Sequence, residues 1–358
     1  MNKAQFAKQN LEKFIGEIDS RLGTYWQKEL DIKFGFNEKQ TTLVNEILNH
    51  SQEHNLRPAK RLRGSFTYYG YLLGHEAVDE RIWQAAMAVE WVHTALLMHD
   101  DFMDQDDVRR GQPTTHKYFG GGDPHYGNAM AVTVGDVVLC AGFQLLLDCG
   151  FKPETIQKGM QKMLRGIVET AYGQAYDVTL ERLRDQWVED DIISLHKAKT
   201  AIYTYENPLF IGGFLAELPE AAFPILREYS MDGGVAFQLQ DDILGVYGNP
   251  EKTGKSANSD LLQGKGTLLV LKAFSEGTPA QVKALEKVWG ARTAIDTDIN
   301  DAKQAIIDSG SLEYSTKISR EYAAQAAESA QKLNALNLNK EAIDYIEGIA
   351  LYMVDRVL

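Results

Sequence analysis

Helical periodicity runs nearly unbroken through this sequence. Only nine prolines interrupt 358 residues, and apolar side chains recur at the three- and four-residue spacing that lines one face of a helix. Residues 280–358 carry the pattern plainly, in Ala-rich, charge-dotted segments such as Glu321-Tyr322-Ala323-Ala324-Gln325-Ala326-Ala327-Glu328. No run alternates apolar and polar residues between hairpin turns, so strands are not needed. Turn signals fall at Gly120-Gly121-Gly122-Asp123-Pro124, Cys149-Gly150-Phe151-Lys152-Pro153, Gly248-Asn249-Pro250 and Gly277-Thr278-Pro279. None is long or simple enough to be a domain linker, and no solenoid repeat is present. The expectation is an all-α chain: one domain, residues 1–358, built as a bundle of long antiparallel helices.

Charge narrows the partners. Lys plus Arg number 37 against 50 Asp plus Glu, a net charge of −13, which repels nucleic acid and requires a local basic cluster for any anionic ligand. The two cysteines, Cys140 and Cys149, fit no zinc spacing and no disulfide framework. They are expected to be buried, reduced thiols, consistent with a cytoplasmic protein. The opening residues lack an apolar run of signal-peptide type. The most apolar window, Ala131 to Leu147, contains Thr133, Asp136 and Gln144. It is too short and too polar to span a bilayer comfortably and is expected to be a buried core helix.

Two acidic clusters each close an apolar helical run. In His99-Asp100-Asp101-Phe102-Met103-Asp104, Asp100 and Asp104 fall one helical turn apart and Asp101 sits three residues from Asp104, so three carboxylates are expected to converge. In Phe237-Gln238-Leu239-Gln240-Asp241-Asp242-Ile243-Leu244-Gly245, Gln238 shares a face with Asp241 and Asp242. A single acidic cluster of this kind is an ordinary solvated helix end; two in one chain are not. Converging carboxylates call for a hard cation, and Mg²⁺ usually bridges one or two of them to substrate phosphates. Cations for such phosphates lie nearby: Lys60-Arg61-Leu62-Arg63, Arg109-Arg110 after the first cluster, and Lys255 and Lys265 after the second. Any one of these groups alone would read as a surface patch.

Together these motifs resemble the trans-isoprenyl diphosphate synthases, which include farnesyl, geranylgeranyl and longer polyprenyl diphosphate synthases. Asp100 to Asp104, followed by Arg109-Arg110-Gly111-Gln112-Pro113-Thr114, resembles the first aspartate-rich motif of that family. Gln238 to Gly245 resembles the second, Lys60 to Arg63 the basic motif, and Gly173-Gln174-Ala175-Tyr176-Asp177 and Lys199-Thr200-Ala201 two further blocks. The resemblance implies the isoprenoid synthase fold, with helices around a central prenyl-chain cavity, and a homodimer. It implies that Asp100, Asp101, Asp104, Asp241 and Asp242 bind Mg²⁺, three ions per site with Mn²⁺ as a substitute. Arg109, Lys199, Lys255 and Lys265 would contact the allylic diphosphate (dimethylallyl, geranyl or farnesyl). Lys60, Arg63, His93 and Arg110 would hold isopentenyl diphosphate, while Thr200 and Gln238 face the allylic C1. Read alone, His93 would be a core histidine and Thr200 a helix-interior hydroxyl.

Two positions depart from the family pattern. Pro58-Ala59 stand where two glycines usually precede the basic motif, and Gly245 stands where many members carry Asp. The second cluster is therefore left with two direct carboxylates, and Asp260 is a candidate for an outer-sphere contact. The resemblance further implies head-to-tail condensation, with the allylic diphosphate leaving and the alkene of isopentenyl diphosphate attacking C1. Residues preceding Asp100 would set product length: Leu96 and Ala95 one turn back, then Val92 and Trp91. The first pair is aliphatic, which favours twenty carbons or more over the fifteen of a farnesyl synthase, with Trp91 as a candidate floor. A class I terpene cyclase lacks the second-substrate clamp read at Lys60, Arg63 and Arg110, and non-catalytic partner subunits tend to lose the acidic clusters kept here.

Overall fold

The computed structural model describes residues 2–31, 35–180, 187–248 and 258–355. The expected helices are there: α1 (Lys3–Leu30), α2 (Glu38–Leu56), α3 (Leu62–Leu72), α4 (Arg81–Met103), α5 (Thr115–Gly120), α6 (Pro124–Leu147), α7 (Pro153–Leu180) and α8 (Glu189–His196). After a π-helical segment, Lys197–Glu206, come α9 (Asn207–Leu215), α10 (Ala222–Tyr247), α11 (Ser259–Gln263), α12 (Leu268–Glu276), α13 (Pro279–Glu286), α14 (Asp296–Asp308), α15 (Ser311–Lys332) and α16 (Lys340–Val354). Where they fall on described residues the turn signals mark real ends; Asn249 and Pro250 lie outside the described residues. Thr278 caps α13 ahead of Pro279, and Asp123 caps α6 ahead of Pro124, each side chain accepting a backbone N–H of the first turn.

One small departure from the all-helical expectation is a β-hairpin, Val108–Arg109 against Gln112–Pro113. Its two-residue turn places both Arg110 (φ 54°) and Gly111 (φ 77°) in the left-handed region, the signature of a tight hairpin whose twist matches its strands. Two paired residues per strand are too short to leave an alternating pattern in sequence.

The described residues group into two compact units. One comprises residues 9–161 and 208–218; the other comprises 1–8, 162–207 and 219–358. In the first, α4 is apolar nearly all round and buried along most of its length, including Ile82, Ala85, Ala88, Val92, Ala95 and Met98. It lies directly against α6 because Gly142 carries no side chain: a Cβ there would come within 2.8 Å of Val92. On another side Trp91 stacks on Trp26 of α1, ring centroids 3.9 Å apart. In the second unit, α10 packs on the π segment, α15 and α16, over a core that includes Val235, Leu239, Ile243, Leu269 and Ile306.

The apolar window expected to form a buried core helix belongs to the longer α6 and buries only one side. By length and composition alone α6 is long and apolar enough to cross a membrane, and 44% of its most apolar stretch is buried. Tyr126, Val132, Val137 and Leu147 remain exposed. Cys140 is likewise exposed, against the expectation of two buried thiols, while Cys149 is buried.

Candidate active site

In the first unit, the C-terminal end of α4, the hairpin and the loop before α3 bring charged groups together. Asp100 is half-buried, as is Asp104 one turn on, and both lie on one face of the helix. Asp101, rotated about 100° from Asp100, is fully buried at 0% exposure. There its carboxylate accepts a short hydrogen bond from Arg109 Nε. Two of the three carboxylates thus share a partly open face, and the third is turned inward onto Arg109, which Asp100 also approaches. Arg109 Nη2 lies 3.5 Å from Asp106 and 3.9 Å from Asp100. Burial pushes the Asp101 carboxyl above its ordinary range while the adjacent Arg109 charge opposes that shift.

Beside this lies a concentration of positive charge. Arg63 Nη1 is 3.0 Å from His93 Nε2. Arg110, at the hairpin tip, donates to the Arg57 carbonyl at 3.4 Å. Burial first, then the Arg61 and Arg109 charges, push Arg110 down to about 10. Burial and the Arg63 and Arg110 guanidiniums hold His93 well below its ordinary value, hence neutral. A buried arginine whose charge is disfavoured by neighbouring guanidiniums, as Arg110 is, gains from an anion placed beside it. Lys60 is exposed beside them. Arg61, in the same motif, serves the fold: its guanidinium is buried against Asp19 at 2.7 Å and Glu90 at 3.4 Å.

In the second unit a chain of hydrogen bonds links the π segment to α10. The Thr200 hydroxyl donates to Gln238 Oε1, and Gln238 Nε2 donates to Asp242 Oδ1, each at 2.8 Å. His196 Nε2 lies 3.3 Å from the other Asp242 oxygen. Lys199 Nζ pairs with Asp177 at 2.6 Å. Interruptions of this kind in the α-helical ladder cluster at functional positions. This one is accommodated by Gly234, where a Cβ would stand 2.3 Å from the Ala201 Cα. As in the first motif, the leading carboxylate, Asp241, is half-buried and the following one, Asp242, is buried.

The Gly245 departure has a structural counterpart. A Cβ at residue 245 would sit 2.0 Å from Asp260 Oδ2. The Asp260 carboxylate, 6% exposed, thus fills the place a side chain at 245 would take. Lys265 Nζ lies 3.9 Å from it. Lys255 lies outside the described residues.

Among residues proposed to govern product length, Ala95, Val92 and Trp91 are fully buried and Leu96 is half-buried. Trp91 falls about 180° round the helix from Asp100 and is held in its stack with Trp26, with Tyr25 edge-on at 5.5 Å. The Asp100 face carries Leu96, His93 and Val89 instead, each within about 40° of it.

Among the described residues no three His, Cys, Asp or Glu side chains gather to hold a metal unaided. What is present fits Mg²⁺ in another way. The half-buried pair Asp100 and Asp104, next to the Arg109 guanidinium, suits an ion that keeps waters and bridges protein oxygens to phosphate. Sequence reading missed His196, His54, Arg57 and Asp106. Asp177 stands inside a quoted motif block and was legible as a charge, though not as the partner of Lys199.

The polyprenyl synthetase family model matches residues 45–306. The chain belongs to this family. Among its relatives, the geranylfarnesyl diphosphate synthase of Aeropyrum pernix is 32% identical over 302 residues, covering 83% of this chain and 90% of that one. The geranylgeranyl diphosphate synthase of Saccharolobus solfataricus is 33% identical over 270 residues, covering 75% and 78%. A crystal structure of geranylgeranyl pyrophosphate synthase from Corynebacterium glutamicum, in complex with isoprenyl diphosphate and magnesium, superposes with a TM-score of 0.88 at 27% identity. It covers 97% of this chain and 99% of that one. The polyprenyl synthetase described here accordingly has the all-α isoprenoid synthase fold that its motifs implied.

Proposed function

We propose that this polyprenyl synthetase condenses isopentenyl diphosphate head to tail with an allylic diphosphate, releases diphosphate, and extends the product to twenty carbons or more. The observation that carries this reading is the crowding of Arg63, His93 and Arg110 beside the half-buried carboxylates Asp100 and Asp104 within one unit. A cationic clamp suits a diphosphate that stays in place, and a carboxylate pair suits one that leaves with metal. The product length follows the names of the relatives and the aliphatic character of Leu96 and Ala95.

Asp100 and Asp104, and Asp241 on α10, are the proposed Mg²⁺ ligands; bound Mg²⁺ supplies charge for the departing diphosphate. Asp101 and Asp242 act from behind: the first holds Arg109, the second holds Gln238, and Asp260 adds an outer-sphere contact. Arg109, Lys199, Lys255 and Lys265 contact the allylic diphosphate and stabilise its developing charge. Lys60, Arg63, His93 and Arg110 hold isopentenyl diphosphate so that its alkene meets C1. Thr200 and Gln238 orient the C1 region, and water must be kept from the allylic cation. The alkene is the nucleophile, and the carbocation left by its attack loses a proton to the released diphosphate to give the product, so neither a side-chain nucleophile nor a side-chain base is needed.

The exposed apolar side of α6, with Tyr126, Val132, Val137, Cys140 and Leu147, supports a homodimer in which a second copy covers it. The deciding experiment incubates the protein with isopentenyl diphosphate, each of dimethylallyl, geranyl and farnesyl diphosphate, and Mg²⁺, and reads products by chromatography. Linear products of twenty carbons or more are expected. Cyclised hydrocarbon, or no metal-dependent product with any starter, overturns the reading.

A further inference from the structure

Behind the first aspartate motif, α2 brings a buried histidine toward the inward-turned carboxylate. His54 and Asp101 are 1% and 0% exposed at their side chains, with His54 Nε2 3.8 Å from Asp101 Oδ2. Neither His54 ring nitrogen has a hydrogen-bond partner, and neither does Asp101 Oδ2. Buried polar atoms of this kind are costly unless paired, and these two have each other within about 1 Å of hydrogen-bond distance. The other Asp101 oxygen is already committed to Arg109.

The same end of α2 grips the hairpin that carries Arg109. Arg57 donates to the Arg109 carbonyl at 3.1 Å and to the Pro113 carbonyl at 3.0 Å, while Glu53 pairs with the Arg57 guanidinium at 2.7 Å. The helix therefore holds both the backbone of the hairpin and, through His54, the carboxylate that aims its arginine.

We propose that His54 is a positioning residue: its Nε2–H donates to Asp101 Oδ2 and fixes the carboxylate that orients the Arg109 guanidinium toward the leaving diphosphate. The imidazole serves as a neutral donor. Burial, and after it the Arg57, Arg109 and Arg110 charges, push His54 down to about 3. A neutral ring has one N–H, and Asp101 Oδ2, 3.8 Å from Nε2, is an acceptor that a shift of about 1 Å would bring within hydrogen-bond distance. Asp101 then accepts from two sides, which stops the carboxylate from rotating about its Cβ–Cγ bond.

The inference rests on Arg109 as a contact of the allylic diphosphate, so its test has one arm that needs no turnover. In the activity arm, His54→Leu removes the donor and His54→Gln replaces it with an amide N–H. With geranyl diphosphate, isopentenyl diphosphate and Mg²⁺, His54→Leu is expected to lower kcat/KM for geranyl diphosphate about tenfold. His54→Gln should recover most of that loss, and KM for isopentenyl diphosphate should stay within about twofold in both. A double-mutant cycle with Asp101→Asn should show the two changes to be non-additive. Equal losses in Leu and Gln variants, or full additivity, overturns the proposal. In the second arm, long-range ¹H–¹⁵N spectra of the wild-type protein read the His54 tautomer. Protonation at Nε2 is expected; protonation at Nδ1 overturns the proposal whether or not the protein turns over and whether or not the variants fold. A wild type inactive with both substrates sinks the functional reading instead and leaves the tautomer result standing.

Discussion

Asp100→Asn and Asp101→Asn, adjacent and chemically identical changes, are predicted to fail in different ways. Asp101 is fully buried and accepts the Arg109 Nε–H. Removing one partner from a buried charge pair costs about 3–5 kcal/mol when the survivor is left alone. Arg109 is not left alone, because Asp106 and Asp100 remain at 3.5 and 3.9 Å, and the asparagine amide oxygen still accepts a hydrogen bond. The expected loss is therefore about 2 kcal/mol, within the range for a hydrogen bond to a charged group. In a chain of this size that lowers the melting temperature by roughly 3 °C. Asp100 is half-buried on the open face, so Asp100→Asn should change stability by no more than about 0.5 kcal/mol. Its cost should appear in turnover instead, as a fall in kcat on the order of 10²–10³, the scale for losing one preorganised charge-stabilising group. Calorimetry and steady-state turnover at saturating Mg²⁺ on the two variants separate the roles. If Asp101→Asn melts with the wild type and loses as much kcat as Asp100→Asn, Asp101 faces the metal and the division of labour argued from the helix is wrong.

The remaining predictions concern binding, product length, pH and assembly. Arg63→Ala and Arg110→Ala should each raise KM for isopentenyl diphosphate tenfold or more, at about 1.5–3 kcal/mol per charged contact, whereas Lys199→Ala should act on the allylic substrate; equal effects on both substrates in all three variants refute separate sites. Leu96→Tyr, on the Asp100 face, should shorten the main product by at least one five-carbon unit by chromatography, while Ala95→Tyr, at a position with 0% exposure, should cost about 1–3 kcal/mol of overpacking. His50 is pushed down to about 3, chiefly by burial; between about pH 6.5, the unperturbed histidine pKa, and that value the unfolded chain binds the extra proton, so stability falls on acidification by up to roughly 1.4 kcal/mol per pH unit. Denaturation at pH 7 and pH 5 should show a smaller drop in His50→Asn than in wild type. Val137→Glu, on the exposed side of α6, should shift sedimentation from dimer to monomer if a second copy covers that face.

The fold was legible because its signals are local. Helical periodicity, the scarcity of proline and the turn residues before Pro124, Pro153 and Pro279 act within a few residues of where they stand, and the helices begin and end there. The charged motifs were legible as chemistry for the same reason. Partnership was not legible. Lys199 meets Asp177 across 22 residues and His54 approaches Asp101 across 47, and no spacing rule predicts which distant polar groups the packing will set side by side. Asp260 over Gly245 is intermediate: the missing carboxylate was visible in the sequence, but not that a downstream one is packed into its place.

The two aspartate motifs show how far a pattern of residue types reaches. Each contains an adjacent Asp-Asp pair, and a carboxylate count treats the members alike. A helix does not: neighbours differ by about 100° in direction. At the end of a helix lying against its own core, one member must then face outward while the next turns in. In both motifs the leading aspartate is half-buried and the second is buried. A buried carboxylate is costly without a hydrogen-bond partner. Each has found one that itself belongs to the site, Arg109 for Asp101 and Gln238 for Asp242. The pairing thus joins a group able to reach metal and phosphate to a group that orients the next ligand. Replacing either second aspartate should disturb the residue it holds before it disturbs the metal.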